Sequence, residues 1–479
     1  INMKYFLTLI QLWVGFLSIC ASYPKANIWI IPSVESPQVY RNYAQTSKVH
    51  LEMARGEVEH IQLVFPSKVN EEYRFTFDRY LKGIQISARE LKKMNGYYDA
   101  LVPFKNQLKC TDTLTAVWIT VQCPSRVPVG KYHQTIKIEG SKHFTIQLDY
   151  NVHHTTIPLK SSIPITVGVE NRCMTEGLND KEADKERQRW VDFVLSYRMT
   201  PVFGTQITPE RWQYEHSFSP WAWNDKRSIR LLNDRRYSCY MLPFFTLSEN
   251  ELASLLCNIQ KKGKLKESLF YIWDEPAYME DYEQIKRKVN IIRKYASDAR
   301  ILTTFFCGPR NGPRKGDLYA VFDYLKHHIH VATISLAPCK GNEEEVQHIR
   351  YKVPEGIDWW SYVCWQPGGN EPNFLLQMKG IQQRAVMWRT WKNGSQGFLY
   401  WNCNIYHKRN PFTYITDMPH GDGILIYPGD ILGCKGPIAS ARLERWRDGA
   451  EEMELLRLVE KNYSKEKADT LLNIVYSSP

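Results

Sequence analysis

Apolar positions along residues 26–159 recur with a period of two or run in short β-branched and aromatic blocks. The stretches "NIWIIPS", "KVHLEMA", "HIQLVFP", "YRFTFD", "TAVWITVQC", "KYHQTIKIEG" and "HFTIQLDYNVH" carry this pattern, with turn residues between them. Such alternation buries one face of a strand and wets the other. Several short strands spaced this way predict an antiparallel β-sandwich over residues 24–159. No long helical period competes with that reading in this region.

Past residue 160 the pattern changes. "IPITVGVE" predicts a strand. "DKEADKERQRWVDFVLSYR" predicts a helix, because Trp190, Phe193, Val194 and Tyr197 share one face at i, i+3, i+4, i+7. "TPVFGT" and "CYMLPFF" read as the next strands. "SENELASLLCNIQKKG" opens on a capping box, Ser248 with Glu251, and closes on Gly263. "LFYIWDE", "ILTTFFCG", "HVATISLAP", "WWSYVCWQP" and "GFLYWNCNIY" continue the strands, with helix-like runs such as "MEDYEQIKRKVNIIRKYA" and "EEEVQHIRYKV" between most of them. This alternation predicts a (β/α)8 TIM-type barrel over residues 160–479. Its weakest unit is the second, where "WAWNDKRSIRLLNDRR" makes a poor helix. The last helical run, "SARLERWRDGAEEMELLRLVEKN", is expected to pack outside the barrel.

A chain of 479 residues exceeds one ordinary compact core, in keeping with two domains. The 13% aromatic share, with 15 Trp and 28 Tyr, is high; most such rings pack in cores, but some stack on sugar faces. The net charge of +11 is spread without a long basic block, and its densest patch, "GPRNGPRKGD", has the Gly and Pro content of a loop. Zinc-finger spacing, an RNA-binding aromatic signature and a basic zipper are all missing, so nucleic acid is not an expected partner. Near the start, "YFLTLIQLWVGFLSICA" follows a basic residue and ends in small ones, which predicts a signal peptide over residues 1–22 with cleavage after Ala21. Lipid attachment at Cys20 and an uncleaved anchor are the rival readings. No later segment runs the roughly 18 apolar residues of a membrane span. The expected location is therefore secreted or exported. The 11 Cys include no C-x-x-C pair, which argues against structural zinc and a dense disulfide framework. Cys110 with Cys123 is a candidate pair, and buried free thiols are the alternative. His327, His328 and His330 fall at a helix-to-strand turn on the far face, and neither metal nor cofactor is expected. Asn393 and Asn462 open glycosylation sequons, relevant in a eukaryotic secretory route.

The chemistry concentrates in "LFYIWDEPAYMEDYEQ", where an apolar run ends in Asp274 and Glu275 and a proline follows at once. Burying adjacent like charges is costly unless something uses them. In a barrel the carboxyl ends of strands carry the functional groups. Strict alternation turns neighbouring side chains to opposite faces, so both acids share a site only where the strand has already broken. Pro276 supports such a break. A purely structural pair, satisfied by arginines or helix N-termini, is the alternative.

Several stretches resemble glycoside hydrolase family 123, the β-N-acetylgalactosaminidases and their relatives. In the first domain these are "LEMARGEVEHIQLVF" and "VPVGKYHQTIKIEG"; in the second they are "YIWDEP", "GFLYWNCNIY", "GDGILIYPG" and "ARLERWRDGAEEMELL". The resemblance implies a retaining exo-glycosidase that releases terminal β-linked N-acetylhexosamine from a glycan or glycolipid. The sugar's own 2-acetamido oxygen attacks the anomeric carbon, so the enzyme supplies no nucleophile. It implies that Asp274 holds the acetamido N–H and steadies the intermediate, while Glu275 protonates the leaving oxygen and then deprotonates water. Trp273, Tyr362, Trp365, Trp401, Asn404 and Tyr406 are candidate substrate-binding residues, each with core packing as its alternative; Asn402 lies in the same run. Two other readings remain: a glycosidase for sugars without an acetamido group, with Glu170 as nucleophile, and a non-catalytic carbohydrate-binding protein.

Overall fold

The computed structural model describes residues 27–78, 83–208, 213–337, 348, 350–406, 410–411 and 421–477. The signal peptide expected over residues 1–22, with Cys20, lies outside the described residues, as does most of "EEEVQHIRYKV". The chain divides into two compact units: one gathers Ile1–Leu159, Leu376–Trp388 and Gly429–Ser478, the other Lys160–Leu375 and Arg389–Pro428. Among the described residues no helix is long and apolar enough to cross a membrane.

The first unit holds two five-stranded sheets. One runs in the order β1 (Trp29–Pro32), β3 (Val58–Pro66), β8 (Leu114–Gln122), β5 (Gln85–Met94), β6 (Tyr97–Pro103). The other runs β2 (Lys48–Arg55), β10 (His143–Thr156), β9 (Gly130–Glu139), β4 (Glu72–Phe77), β7 (Gln107–Lys109). Ile61, Leu63 and Phe65 of β3, Val117, Ile119 and Val121 of β8, and Ile136 and Ile138 of β9 meet in one core. Their spacing of two is the alternation read from the sequence. The antiparallel expectation fails at β2 and β10, which pair in parallel with Leu51 opposite Tyr150. These strands are separated by most of the unit, so no hairpin forces them antiparallel. Cys110 and Cys123 are free thiols buried in this core, and the candidate disulfide is not formed.

The second unit is built on a nine-stranded sheet ordered β13-β12-β11-β19-β18-β17-β16-β15-β14. In chain order these are β11 (Ile165–Glu170), β12 (Thr200–Thr208), β13 (Gln213–Ser217), β14 (Tyr240–Met241), β15 (Ser268–Trp273), β16 (Ile301–Phe305), β17 (Val331–Ser335), β18 (Asp358–Val363) and β19 (Phe398–Tyr400). The ladders are parallel except between β12 and β13, which are antiparallel. This extra strand departs from the eight-strand expectation. It precedes the stretch where the sequence made its poorest helix, in which only the short α3 (Lys226–Leu231) forms. The sheet ends approach each other: Phe218 N–H, just past β13, donates to Met241 O of β14 at 2.6 Å. Val202, Met241, Leu269, Tyr271, Leu302, Val331, Trp360, Tyr362 and Leu399 share one core on the sheet's inner face. Helices α2 (Asp180–Ser196), α4 (Glu249–Lys261) and α5 (Met279–Tyr295) form where the 3.6 period predicts, and both hydrogen bonds of the Ser248–Glu251 capping box are present. Asn393 is 0% exposed, which removes it as a glycosylation site; Asn462 remains exposed.

Helix α9 (Ala441–Asn462) is grouped with the first unit rather than with the nine-stranded sheet. Nearly every residue from Ala441 to Leu456 is buried, charged ones included. Arg442 pairs with Asp99 at 2.9 Å, and Arg89 with Glu444 at 2.6 Å. Arg384 of α7 (Gly380–Arg384) meets Glu452 at 2.6 Å and Asp448 at 3.4 Å. Trp118 N–H donates to His60 Nδ1 at 3.0 Å, which leaves Nε2 to face Glu444 at 3.2 Å and Asp448 at 3.3 Å. Glu57, beneath them, is pushed up to about 8 by burial and by the charge of Glu451, so it adds little negative charge at neutral pH. Gly449 lets the helices touch: a Cβ there would stand 2.4 Å from Arg384 O. A helix this charged reads as solvated by composition alone; paired acids and bases let it be buried instead.

Breaking a buried pair leaves one charge without its partner, which costs about 3–5 kcal/mol. Asp99→Ala, which removes the carboxylate that meets Arg442 at 1% exposure, is expected to lower the unfolding free energy by up to that amount in a denaturant titration. Asp469→Ala, at an exposed i, i+4 pair with Lys465, is expected to change it by no more than about 0.5 kcal/mol. Equal effects would contradict the assignment of α9 as a buried ionic seam.

Candidate functional site

β15 is buried along its whole length and stops at Trp273. Its register against β16 slips between Tyr271 and Trp273: Tyr271 lies opposite Leu302, but Trp273 lies opposite Thr303. The slip moves Trp273 to the outer face, where Lys288 Nζ of α5 lies 5.7 Å from its ring centroid. Trp273 is therefore a packing residue, and its expected place beside a sugar is corrected. Glu275 then takes φ +44°, in the left-handed region that non-glycine residues rarely occupy. Such a backbone costs about 1–3 kcal/mol and persists only where the surroundings hold it. It suspends the alternation that would send Asp274 and Glu275 to opposite faces.

Thr304, on the inner face of β16, binds both acids. Its Oγ1 accepts the Glu275 backbone N–H at 2.9 Å and donates to Asp274 Oδ1 at 2.7 Å. Tyr271 OH donates to the same Oδ1 at 2.6 Å. Tyr362 OH, from β18, donates to Glu275 Oε1. His216 of β13 stacks on Tyr271 at 4.3 Å between ring centroids and 11° between planes. Burial pushes His216 down to about 3, so it is a neutral support for the tyrosine. Asp274 is exposed and Glu275 half-buried, so solvent reaches both.

The surroundings of Glu275 favour its protonated form. Burial, and next the charge of Asp274, push Glu275 up to about 7. The Tyr362 hydrogen bond and the Arg310 charge pull the other way without cancelling this. Glu275 is thus protonated over much of the range below neutrality and beside a charged carboxylate, which suits a group that gives and retakes a proton.

The other candidates divide. Tyr362 is 3% exposed and acts on Glu275 through its hydroxyl. Trp365, just past β18, is 44% exposed and lies 6.4 Å from Phe306 between centroids. Trp401 packs at the edge of the inner core and donates its indole N–H to Asp422 Oδ1 at 3.0 Å. Asn404 is a correction: its amide accepts Glu170 N–H at 2.8 Å and donates to Glu170 O at 3.2 Å, and it is 0% exposed. It positions the end of β11 rather than meeting a ligand. Tyr406 is 1% exposed, with its carbonyl accepting from Cys173 Sγ, so it too is a packing residue. Sequence reasoning missed Tyr271, Thr304, Tyr214, His216 and Asp422. Period two from Leu269 reaches Tyr271, and from Leu302 reaches Thr304, so strand parity was the signal for those two. Nothing marked His216, which sits on an unforeseen strand.

The profile described as "Glycoside hydrolase 123, catalytic domain" matches residues 185–459. A family 123 glycoside hydrolase from Clostridium perfringens, solved to detail glycolipid glycan hydrolysis, is 15% identical. That likeness has a TM-score of 0.66 and covers 93% of this chain and 91% of that one. A GH2 beta-galacturonidase from Eisenbergiella tayi bound to galacturonate is 9% identical, covering 83% of this chain and 89% of that one. Its TM-score of 0.36 is too low to bear on fold or chemistry. No curated protein matches the chain.

The electrostatic assignment has a direct test. Titration of Glu275 followed by infrared or carbon-detected NMR is expected to show a midpoint near 7. Tyr362→Phe removes a donor that favours the ionised form and is expected to move the midpoint up; Asp274→Asn removes repulsion and is expected to move it down. A midpoint in the ordinary carboxylate range, unmoved by either change, would contradict it.

Proposed function

The chain belongs to glycoside hydrolase family 123 and is a glycoside hydrolase, and from that premise we propose that it releases terminal β-linked N-acetylhexosamine, with N-acetylgalactosamine the preferred sugar. In this reading the nine-stranded sheet serves as a (β/α)8-type barrel with one inserted strand, and its carboxyl end carries the chemistry. The substrate is a glycan or the glycan of a glycolipid, and the chain is exported after cleavage of its signal peptide following Ala21.

One observation carries the mechanism: Asp274 and Glu275 are tied to the same threonine hydroxyl. Two carboxyls held this way lie on one side of the sugar that Glu275 protonates. A two-carboxylate double displacement needs its nucleophile on the opposite face. Attack by the substrate's own acetamido oxygen removes that need. Glu275, protonated, donates to the glycosidic oxygen as the bond breaks. Asp274 accepts the acetamido N–H and balances the positive charge that develops on the oxazolinium-like intermediate. Glu275, now a carboxylate, takes a proton from the incoming water, which opens the intermediate with overall retention. Tyr271 and Thr304 hold Asp274 in place through the step. Trp365 and Trp401 are proposed to border the sugar with aromatic faces.

The sign of the pH dependence follows from Glu275. The proton donor is lost as pH rises through about 7, so kcat/KM on an aryl N-acetyl-β-galactosaminide is expected to fall above that point. Glu275→Gln is expected to lower turnover by about 10²–10⁴-fold, with Glu275→Ala losing less on aryl groups that leave without protonation. Asp274→Asn is expected to weaken binding of an oxazoline-mimicking thiazoline inhibitor. Full activity in Glu275→Gln, or turnover of the matching sugar without its acetamido group at an equal rate, would sink the mechanism.

A further inference from the structure

Glu170 is a third carboxyl on the inner face of the sheet, and the mechanism leaves it unused. Thr166 lies opposite Leu399, Gly168 opposite Val202, and Glu170 opposite Gly204. Val202 and Leu399 belong to the inner core, so period two along β11 turns Glu170 to the same side. The residue is 5% exposed. Gly204 offers it no side chain, and Tyr214 of β13 closes the flank, its Cδ1 3.5 Å from where a Gly204 Cβ would stand. The charges of both Glu170 and Asp274 act on the Tyr214 phenol, after burial itself, so this ring lies within reach of both acids.

Glu170 caps a short helix with one oxygen only, and four observations describe what it can do. Asn404 clamps its backbone at N–H and carbonyl, which fixes where the side chain starts. One oxygen, Oε1, accepts Arg172 N–H at 3.2 Å at the start of the one-turn helix α1 (Asn171–Thr175). Among the described residues no hydrogen-bond donor engages Oε2. Burial pushes the group up to about 7, against the Arg172 contact, so it is able to accept and, when protonated, to donate.

We propose that Glu170 binds a hydroxyl of the terminal sugar, on the edge formed by C3, C4 and C6, and is a specificity-determining residue. The proposal rests on the reading above, in which C1 and C2 lie against Asp274 and Glu275. The sheet order β11-β19-β18-β17-β16-β15 sets β11 well away from β15. A ring whose C1–C2 edge is held at β15 therefore turns its far edge toward β11. A fixed carboxyl there reads the direction of one hydroxyl, since the wrong epimer leaves a dry polar group unpaired.

The test compares the aryl N-acetyl-β-galactosaminide with its 3-, 4- and 6-deoxy forms on wild type and Glu170→Gln. Gln keeps an acceptor for Arg172 N–H, and unchanged thermal unfolding verifies the fold; Glu170→Asp serves if it fails. The wild type is expected to lose about 10- to 100-fold in kcat/KM on one deoxy sugar. Glu170→Gln is expected to lose a similar factor on the parent and little more on that same deoxy sugar. Undiminished penalties in the variant on all three would overturn the proposal. So would rescue of Glu170→Ala by azide with formation of the glycosyl azide of inverted configuration, which identifies a nucleophile instead. If the wild type turns over none of these sugars, the parent reading fails and takes the proposal with it; a failure confined to Glu170 leaves the wild type active.

Discussion

One hydroxyl organises this site. Thr304 Oγ1 receives the Glu275 backbone N–H and gives its own proton to Asp274, so a single side chain fixes the peptide of one acid and the carboxylate of the other. The left-handed turn at Glu275 is what allows two consecutive residues to share that partner. Tyr271 and Tyr362 complete the arrangement from the inner core, each donating to one of the two acids. The acids are then held close enough for repulsion to matter, and burial with that repulsion raises the affinity of Glu275 for its proton. Strain, repulsion and proton affinity are consequences of the same short segment.

Much of this was legible in the sequence, and the losses have physical causes. Period two exposed the strands of the first unit where apolar residues alternate, but it passed over β5, whose "ARELKK" spends its charges on partners such as Glu444 of α9. The acid pair and Pro276 announced a broken strand, yet local sequence does not say that the break is left-handed, nor that β15 slips first. That slip is why Trp273 read as a site residue and proved to pack against α5. Asn404 and Tyr406 were read from their place after a strand; their burial depends on how the chain beyond β19 returns over β11, which pattern alone does not specify. Thr304 and Tyr271 were reachable by strand parity and were overlooked because a threonine and a tyrosine in apolar runs look like ordinary core.

The C-terminal stretch teaches a related lesson. "ARLERWRDGAEEMELL" is as distinctive as the acid motif, and distinctiveness invites a catalytic reading. Its charges instead pair with Asp99, Arg89, His60 and Arg384 inside the first unit. A buried ionic seam tolerates little substitution, because each lost partner strands a charge in a dry place. The chain thus holds two demanding constellations of acids: one closed and matched by cations, the other open to solvent and held by hydroxyls. Only the second is free to exchange a proton with a ligand.

The most direct measurement of the catalytic account is the dependence of kcat on the basicity of the substrate's acyl group, using aryl glycosides bearing acetyl, fluoroacetyl, difluoroacetyl and trifluoroacetyl at the 2-amino position. If the acyl oxygen is the nucleophile and Asp274 steadies the charge it acquires, log kcat falls steeply with each fluorine in the wild type and less steeply in Asp274→Asn. A flat series in the wild type, with all four sugars cleaved at similar rates, would contradict the account.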